Sequence, residues 1–338
     1  NITTMKSTAL FVPFLMINSV WSHAQNDRSS DKLNIVYIMT DDHSYQTISA
    51  YGGELTKLAP TPNLDRLAKK GMLFQRAFVE NSLSTPSRAC LMTGLYSHQN
   101  GQRTLFGMVD TTKTFVSEIL QQNGYQTAVV GKWHMRCEPK GFDYYQILFD
   151  QGAYYNPEFK SKETGGKYIR REGYATTLTT DYAINFLEHR NNSKPFCLFV
   201  HHKAPHRNWM PESKYLHLYE DVEFPYPDTF DDDYSTRCEP AHSQQMEIDK
   251  CMTIVYDLKV NQLKDTEPYS KEWNAKGMQL SLNRMNPSER QQWEAAYVKR
   301  YEDFQKKLEL LDKESRKESG RIKEIVAEIV PTYHPDLN

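Results

Sequence analysis

Apolar residues in this chain fall into two kinds of run. Short, mainly apolar ones occupy residues 33–39, 126–130 and 196–200. They are too brief for helices and are bounded by polar residues, so they predict buried strands. Residues 72–79 predict another strand. Between these runs lie stretches whose apolar positions recur every three or four residues: 62–71, 116–124 and 180–189. These predict helices. In the first, Thr61 is placed to cap, Pro62 suits the first turn and Gly71 suits the end. In the third, Tyr182, Phe186 and Leu187 share one side. Strands alternating with helices predict an α/β fold, a mostly parallel sheet with helices on both faces.

After about Pro211 the pattern changes. Residues 212–285 are polar, rich in Asp, Glu, Tyr and Ser, and have no clear period. They predict a long excursion over the domain surface. A helix then starts at Asn286-Pro287-Ser288-Glu289, with Asn286 as cap and Glu289 reaching back. Trp293, Tyr297, Tyr301, Phe304, Leu308 and Leu311 recur every three or four residues, giving it one apolar face to pack on the domain. Residues 313–323 are charge-dense and predict a solvated stretch. At the other end, Met5-Lys6, an apolar stretch over 9–21 and the small-residue site Ser22-His23-Ala24 predict a secretory signal, cleaved before Gln25. The apolar stretch is too short to span a bilayer. The expected organisation is therefore 1–24 signal peptide and preceding residues, 25–211 an α/β domain, 212–285 the surface excursion, and 286–338 the amphipathic helix and a divergent end. Export, to the periplasm or the medium, follows, with no stable membrane anchor.

Composition narrows the picture only modestly. Nothing in the net charge of -2 over 338 residues points to nucleic acid or an anionic membrane as partner. Five cysteines at irregular spacing do not form a disulfide framework. Cys90 and Cys197 lie in apolar runs and are expected in the core. A Cys238–Cys251 bridge is left open.

The chemistry gathers where the predicted strands end. In an open parallel sheet, ligands bind beyond the carboxyl ends of the strands. Asp41-Asp42 follow the first strand, Lys132 and His134 another, and His201, His202 and His206 a third. An Asp pair alone is usually a turn or cap, and a lone His usually a satisfied one. Three successive strand ends supplying such groups predict a site for an anion and a hard cation. Adjacent carboxylates suit a cation with oxygen ligands, whereas Lys and His donate charge-assisted hydrogen bonds to an anion. Ser84 completes the set. Thr85 as cap and Pro86 in the first turn predict a helix running to Gly94, which puts Ser84 at its anion-favouring N-terminus with Arg88 one turn on.

Ser84-Thr85-Pro86-Ser87-Arg88, followed by Cys90-Leu91-Met92-Thr93-Gly94, resembles the signature of the type I sulfatases of the alkaline phosphatase superfamily. Residues 34–42 resemble that family's opening strand with its metal carboxylates, and 61–68 the helix that follows. Gly131-Lys132-Trp133-His134 and Ala204-Pro205-His206 match two further elements, in the family's order over residues 33–211. The resemblance implies that Ser84 is oxidised to formylglycine by a radical-SAM maturing enzyme, and that its hydrated aldehyde attacks sulfur. It implies Asp41 and Asp42, with Ser84, as metal ligands, Ca²⁺ being the usual ion and Mg²⁺ the alternative. Arg88 and Lys132 would hold the sulfate, His134 would assist elimination, and His206 would protonate the leaving alcohol. Residues 201–211 resemble Bacteroidetes sulfatases acting on 6-O-sulfated N-acetylglucosamine, a sulfated carbohydrate of glycosaminoglycans. His202, Arg207, Asn208 and Trp209 are then candidates for the sugar subsite; Trp209 packing alone is the equal alternative.

The resemblance fades after about Leu311. The family's strand ending in Asp-Asn or Asp-Gln, and the lysine after it, have no counterpart in the sequence, so a fold truncated on its C-terminal side is expected. Two other readings stand beside the sulfatase. One is a phosphodiesterase or phosphonate hydrolase of the same superfamily, against which the Ser pentapeptide argues. The other is a catalytically incomplete fragment.

Overall fold

The computed structural model describes residues 32–259 and 272–314. The expected signal segment and most of the charge-dense end lie outside them. Six strands form one sheet: β1 (Ile35–Met39), β2 (Gln126–Lys132), β3 (Tyr144–Leu148), β4 (Glu158–Ser161), β5 (Ile169–Arg170) and β6 (Phe196–His201). Their spatial order is β1-β6-β2-β3-β4-β5. The pairings β1–β6, β6–β2 and β2–β3 are parallel, and β3–β4 and β4–β5 antiparallel. The helices are α1 (Pro62–Lys70), α2 (Ser84–Thr93), α3 (Ser97–Asn100), α4 (Val116–Gln122), α5 (Ala175–His189), α6 (Glu239–Ser243), α7 (Ile248–Cys251), α8 (Glu272–Leu282) and α9 (Pro287–Glu314).

Successive side chains of a strand face opposite ways, so the apolar residues of β2 and β6 feed two cores. Val129, Cys197 and Phe199 pack on one face with Ala89 and Met92 of α2 and with Phe115. Ala128, Val130, Leu198 and Val200 pack on the other with Ala183 and Phe186 of α5. The helices-on-both-faces architecture expected from the sequence is therefore present. Strand β1 lies at the sheet edge, and among the described residues Val36 and Ile38 remain 51% and 59% exposed.

Several sequence expectations need correction. Residues 72–79 form no strand; Met72, Phe74, Phe78 and Val79 are all exposed. Segment 212–285 does more than cross the surface. Leu216, Val255, Met278, Leu282 and Met285 join Trp293 and Tyr297 of α9 in a third buried cluster, against Tyr154, Tyr155 and Tyr174. Thr61 does not cap α1, because its hydroxyl is turned to Ser49 and Asp65. The α9 start is as expected: Asn286 Oδ1 accepts from the Glu289 amide and Glu289 returns the bond to the Asn286 amide. Cys90 and Cys197 are buried, and Cys238 and Cys251 are not bridged.

Candidate functional site

The carboxyl ends of the parallel strands are fastened together by backbone hydrogen bonds. The Asp41 amide donates to the Ala204 carbonyl at 3.1 Å, and the His202 amide to the Met39 carbonyl at 2.8 Å. The turns after β1 and β6 therefore share one seam. Between β6 and β2 the packing is so close that Gly131, at φ +91°, has no room for a side chain; a Cβ there would sit 2.0 Å from the His201 carbonyl oxygen. Beyond the strand ends, Asp42 and His134 take φ values of 57° and 51°, a left-handed conformation unfavourable for a residue with a Cβ. Such conformations concentrate at functional sites.

Helix α2 begins at Ser84 itself, with Leu83 in the capping position. Thr85 is thus inside the helix rather than its cap. Its hydroxyl lies 3.3 Å from His134 Nδ1. Ser84 Oγ lies at 3.3 Å from the same nitrogen and accepts from Arg88 Nε at 3.3 Å. Arg88, fully buried one turn along, donates to the Lys132 carbonyl at 2.8 Å and comes within 3.5 Å of Asp41. Lys132, also fully buried, pairs with Asp41. His206 Nε2 is 3.6 Å from Asp42, while its Nδ1 is hydrogen-bonded to the Arg207 carbonyl at 2.5 Å. Ser84, Arg88, Lys132, His134, Asp41, Asp42 and His206 thus form one connected cluster.

Its electrostatics follow from burial. Burial alone would raise the Asp41 pKa, but Lys132 and Arg88 overcome it and hold the carboxylate below its usual range. Burial, then the nearby Lys132, pulls the His134 pKa down to about 4, so its imidazole is neutral at pH 7 and able to accept a proton. Burial lowers His206 as well, assisted by Lys203 and Lys132. His201 ends β6, 1% exposed, its Nδ1 at 3.3 Å from the Lys132 carbonyl and its pKa driven by burial to about 3.

A cleft of about 480 Å³ opens beside this cluster. Lys203, His206, Arg207, Asn208, Asp150 and Arg284 are among its walls. Arg207 is held by Asp257, which is 1% exposed: Nη2 donates at 2.6 Å and Nε also donates. The same carboxylate accepts from the Thr253 amide at 2.7 Å. Asn208 is buried, with Nδ2 3.4 Å from Ser281 Oγ. Of the four proposed sugar contacts, Arg207 and Asn208 line the cleft. His202 and Trp209, both half-buried, are not among its lining residues.

Sequence reasoning missed Asp150, Lys203 and Asp257. Asp150 follows β3 and lies 3.6 Å from His134 Nε2. Lys203 had a signal, a lysine inside the His-rich run after β6. Asp257 had one too, a single acid within the apolar stretch Ile254–Leu258.

The expected cation is a different matter. Calcium takes six to eight oxygen ligands and magnesium six. Among the described residues no cluster of three or more His, Cys, Asp or Glu is arranged to hold a metal. Asp41 is already engaged by Lys132 and Arg88. Asp41, Asp42 and Ser84 alone do not fit a resident divalent ion.

Fold and site define an α/β protein with a buried cluster of basic, acidic and imidazole side chains at the carboxyl ends of the parallel strands. The chain belongs to the sulfatase family, whose model matches residues 33–286. Family members generally work with a formylglycine and a divalent metal. The chain is 40% identical over 315 residues to an N-acetylglucosamine-6-O-sulfatase of Bacteroides thetaiotaomicron, covering 90% of this chain and 54% of the relative. It is 28% identical over 213 residues to the human N-acetylglucosamine-6-sulfatase, covering 56% of this chain and 37% of that protein. A solved sulfatase structure in complex with its substrate D-glucosamine-2-N,6-O-disulfate aligns with a TM-score of 0.76 and 38% identity, over 89% of this chain and 59% of that one. The chain thus spans little more than half the length of the Bacteroides thetaiotaomicron relative and of that solved structure. No described helix is long and apolar enough to cross a membrane.

Proposed function

We propose that the protein is an exported sulfuric ester hydrolase that removes the 6-O-sulfate of N-acetylglucosamine in glycosaminoglycan fragments. The observation that carries this reading is the placement of Ser84. It opens α2, half-exposed, with Arg88 and His134 each 3.3 Å from its oxygen. That setting fits a formylglycine made from Ser84 by a maturing enzyme; its hydrated aldehyde would supply the oxygen nucleophile for sulfur. The chain's own residues do the rest. Arg88 and Lys132 place positive charge beside the ester, where negative charge grows in the transition state. His134, neutral at pH 7, takes a proton at Nδ1 from the oxygen at position 84. His206 lines the cleft and donates its Nδ1–H to the Arg207 carbonyl; once Nε2, beside Asp42, takes up a proton, the imidazolium would pass it to the leaving sugar oxygen. Arg207 and Asn208 present donors to the sugar. The names of the relatives support the glycan. No step is assigned to a metal, because the described donors are too few.

The same shortage of donors favours a second reading, a chain that binds the sulfated sugar without turning it over. Sulfate release from 6-sulfo-N-acetylglucosamine, after co-expression with a serine-type maturing enzyme, separates the two. Release that is lost in Ser84→Ala, with an aldehyde found at residue 84 by peptide mass spectrometry, is the expected result. An unmodified serine and no release from folded protein would rule out the hydrolase.

A further inference from the structure

The cleft wall contains two cations that the reaction above does not use: Arg284, which is paired with Glu158, and Lys203. Lys203 lies two residues past the end of β6 and is 5% exposed. Its stem runs beside Gly152, where an added Cβ would stand 3.5 Å from the lysine Cδ, and its Nζ lies 4.7 Å from the centre of the Tyr154 ring. No carboxylate or hydrogen-bond acceptor pairs with that ammonium among the described residues. The charges around it are Lys132, Asp41, Asp42 and Asp150, the groups of the site itself. It shares the cleft wall with His206 and Arg207.

A buried ammonium that lacks a hydrogen-bonded anion is costly. A methionine would fill the same apolar groove beneath Tyr154 without that cost. The amine therefore has a use that the folded chain alone does not satisfy. We propose that Lys203 is a substrate-binding residue, whose ammonium donates to an oxygen of the sulfate ester from the cleft side. This rests on the sulfated-sugar reading of the site and adds to it a cation additional to Arg88 and Lys132. The depressed pKa of Lys203, about 7, agrees, since burial and the neighbouring Lys132 withhold charge that a bound anion would restore.

Calorimetric titration with 6-sulfo-N-acetylglucosamine and with unsulfated N-acetylglucosamine tests it. Hydrogen bonds to charged groups are the stronger kind. Lys203→Met is therefore expected to bind the sulfated sugar at least about tenfold more weakly, to bind the unsulfated sugar unchanged, and to melt no lower than the wild type. Lys203→Arg should regain part of the preference for sulfate. A Lys203→Met protein that keeps the wild-type ratio of the two affinities overturns the proposal. Should that variant fail to fold by circular dichroism, Lys203→Gln carries the same comparison. Wild-type protein that binds the sulfated sugar but releases no sulfate refutes the hydrolase reading and leaves Lys203 standing. Wild-type protein blind to the sulfate refutes both.

Discussion

The Arg207–Asp257 pair gives the sharpest test of how the cleft wall is held. Asp257 is 1% exposed and accepts from the Thr253 amide, Arg207 Nη2 and Arg207 Nε. Asp257→Ala leaves the Thr253 amide buried without its partner, at about 1–3 kcal/mol. It also takes the carboxylate away from the guanidinium, but the Arg207 side chain is 32% exposed and water takes up part of that loss. The total should be roughly 2–4 kcal/mol. Arg207→Met strands a carboxylate with no such access to water, at about 3–5 kcal/mol. In the double variant neither charge is left alone, so the loss should fall short of the sum of the single losses by roughly 1.5–3 kcal/mol. Urea unfolding of the four proteins measures this coupling directly. A value below about 0.5 kcal/mol, the ordinary limit of additivity, would mean that the two side chains do not support one another.

Three other outcomes are expected. Gly131→Ala should cost more than about 3 kcal/mol, because the clash with the His201 carbonyl adds to the positive φ; wild-type stability in urea would contradict the packing described. Lys132→Met should cost about 3 kcal/mol at neutral pH by leaving Asp41 short of its main partner, and the loss should shrink as pH falls past the ordinary carboxylate value of 3.8. The folded-state pKa values of His134 and His201 lie below their ordinary 6.5, at about 4 and about 3. Their contribution is therefore complete above pH 6.5 and is lost as pH falls through this window, up to about 3 kcal/mol for His134. The urea midpoint should drop between pH 7 and pH 5, and His134→Asn should flatten the drop; a midpoint that stays level would refute it.

The parallel heart of the fold was legible where a strand is buried on both faces and so reads as a mainly apolar run, as β2 and β6 do; edge strand β1 is apolar in sequence but largely exposed. The β6 segment Phe196-Cys197-Leu198-Phe199-Val200 is the clearest case. Strand β3 was missed because Tyr144, Tyr145 and Gln146 put polar groups into its run, although Tyr144 packs on one face of the sheet and Tyr145 on the other. Helix α5 starts at Ala175, five residues before its expected start, since Thr176, Thr177 and Thr179 are weak helix formers and its buried face begins with Ala175 and Thr179. Residues 72–79 show the opposite error, an apolar run that tertiary structure leaves exposed. The site was legible as far as charged residues follow strand ends in sequence: Asp41, Lys132, His134 and His206. Asp257 backs the cleft wall through Arg207 from a segment without periodicity, and its only sequence signal was a single acid within an apolar stretch.

The two backbone hydrogen bonds that join the turns after β1 and β6 have a consequence for the thermodynamics of ligand capture. Asp41 and His202 anchor the same seam from opposite sides, so the carboxylates and the imidazole of His206 cannot drift apart independently. Their relative freedom is surrendered when the chain folds, not when a sugar arrives. An anionic ligand then meets a cluster already in register, and the entropy of association need cover little beyond the ligand's own motion.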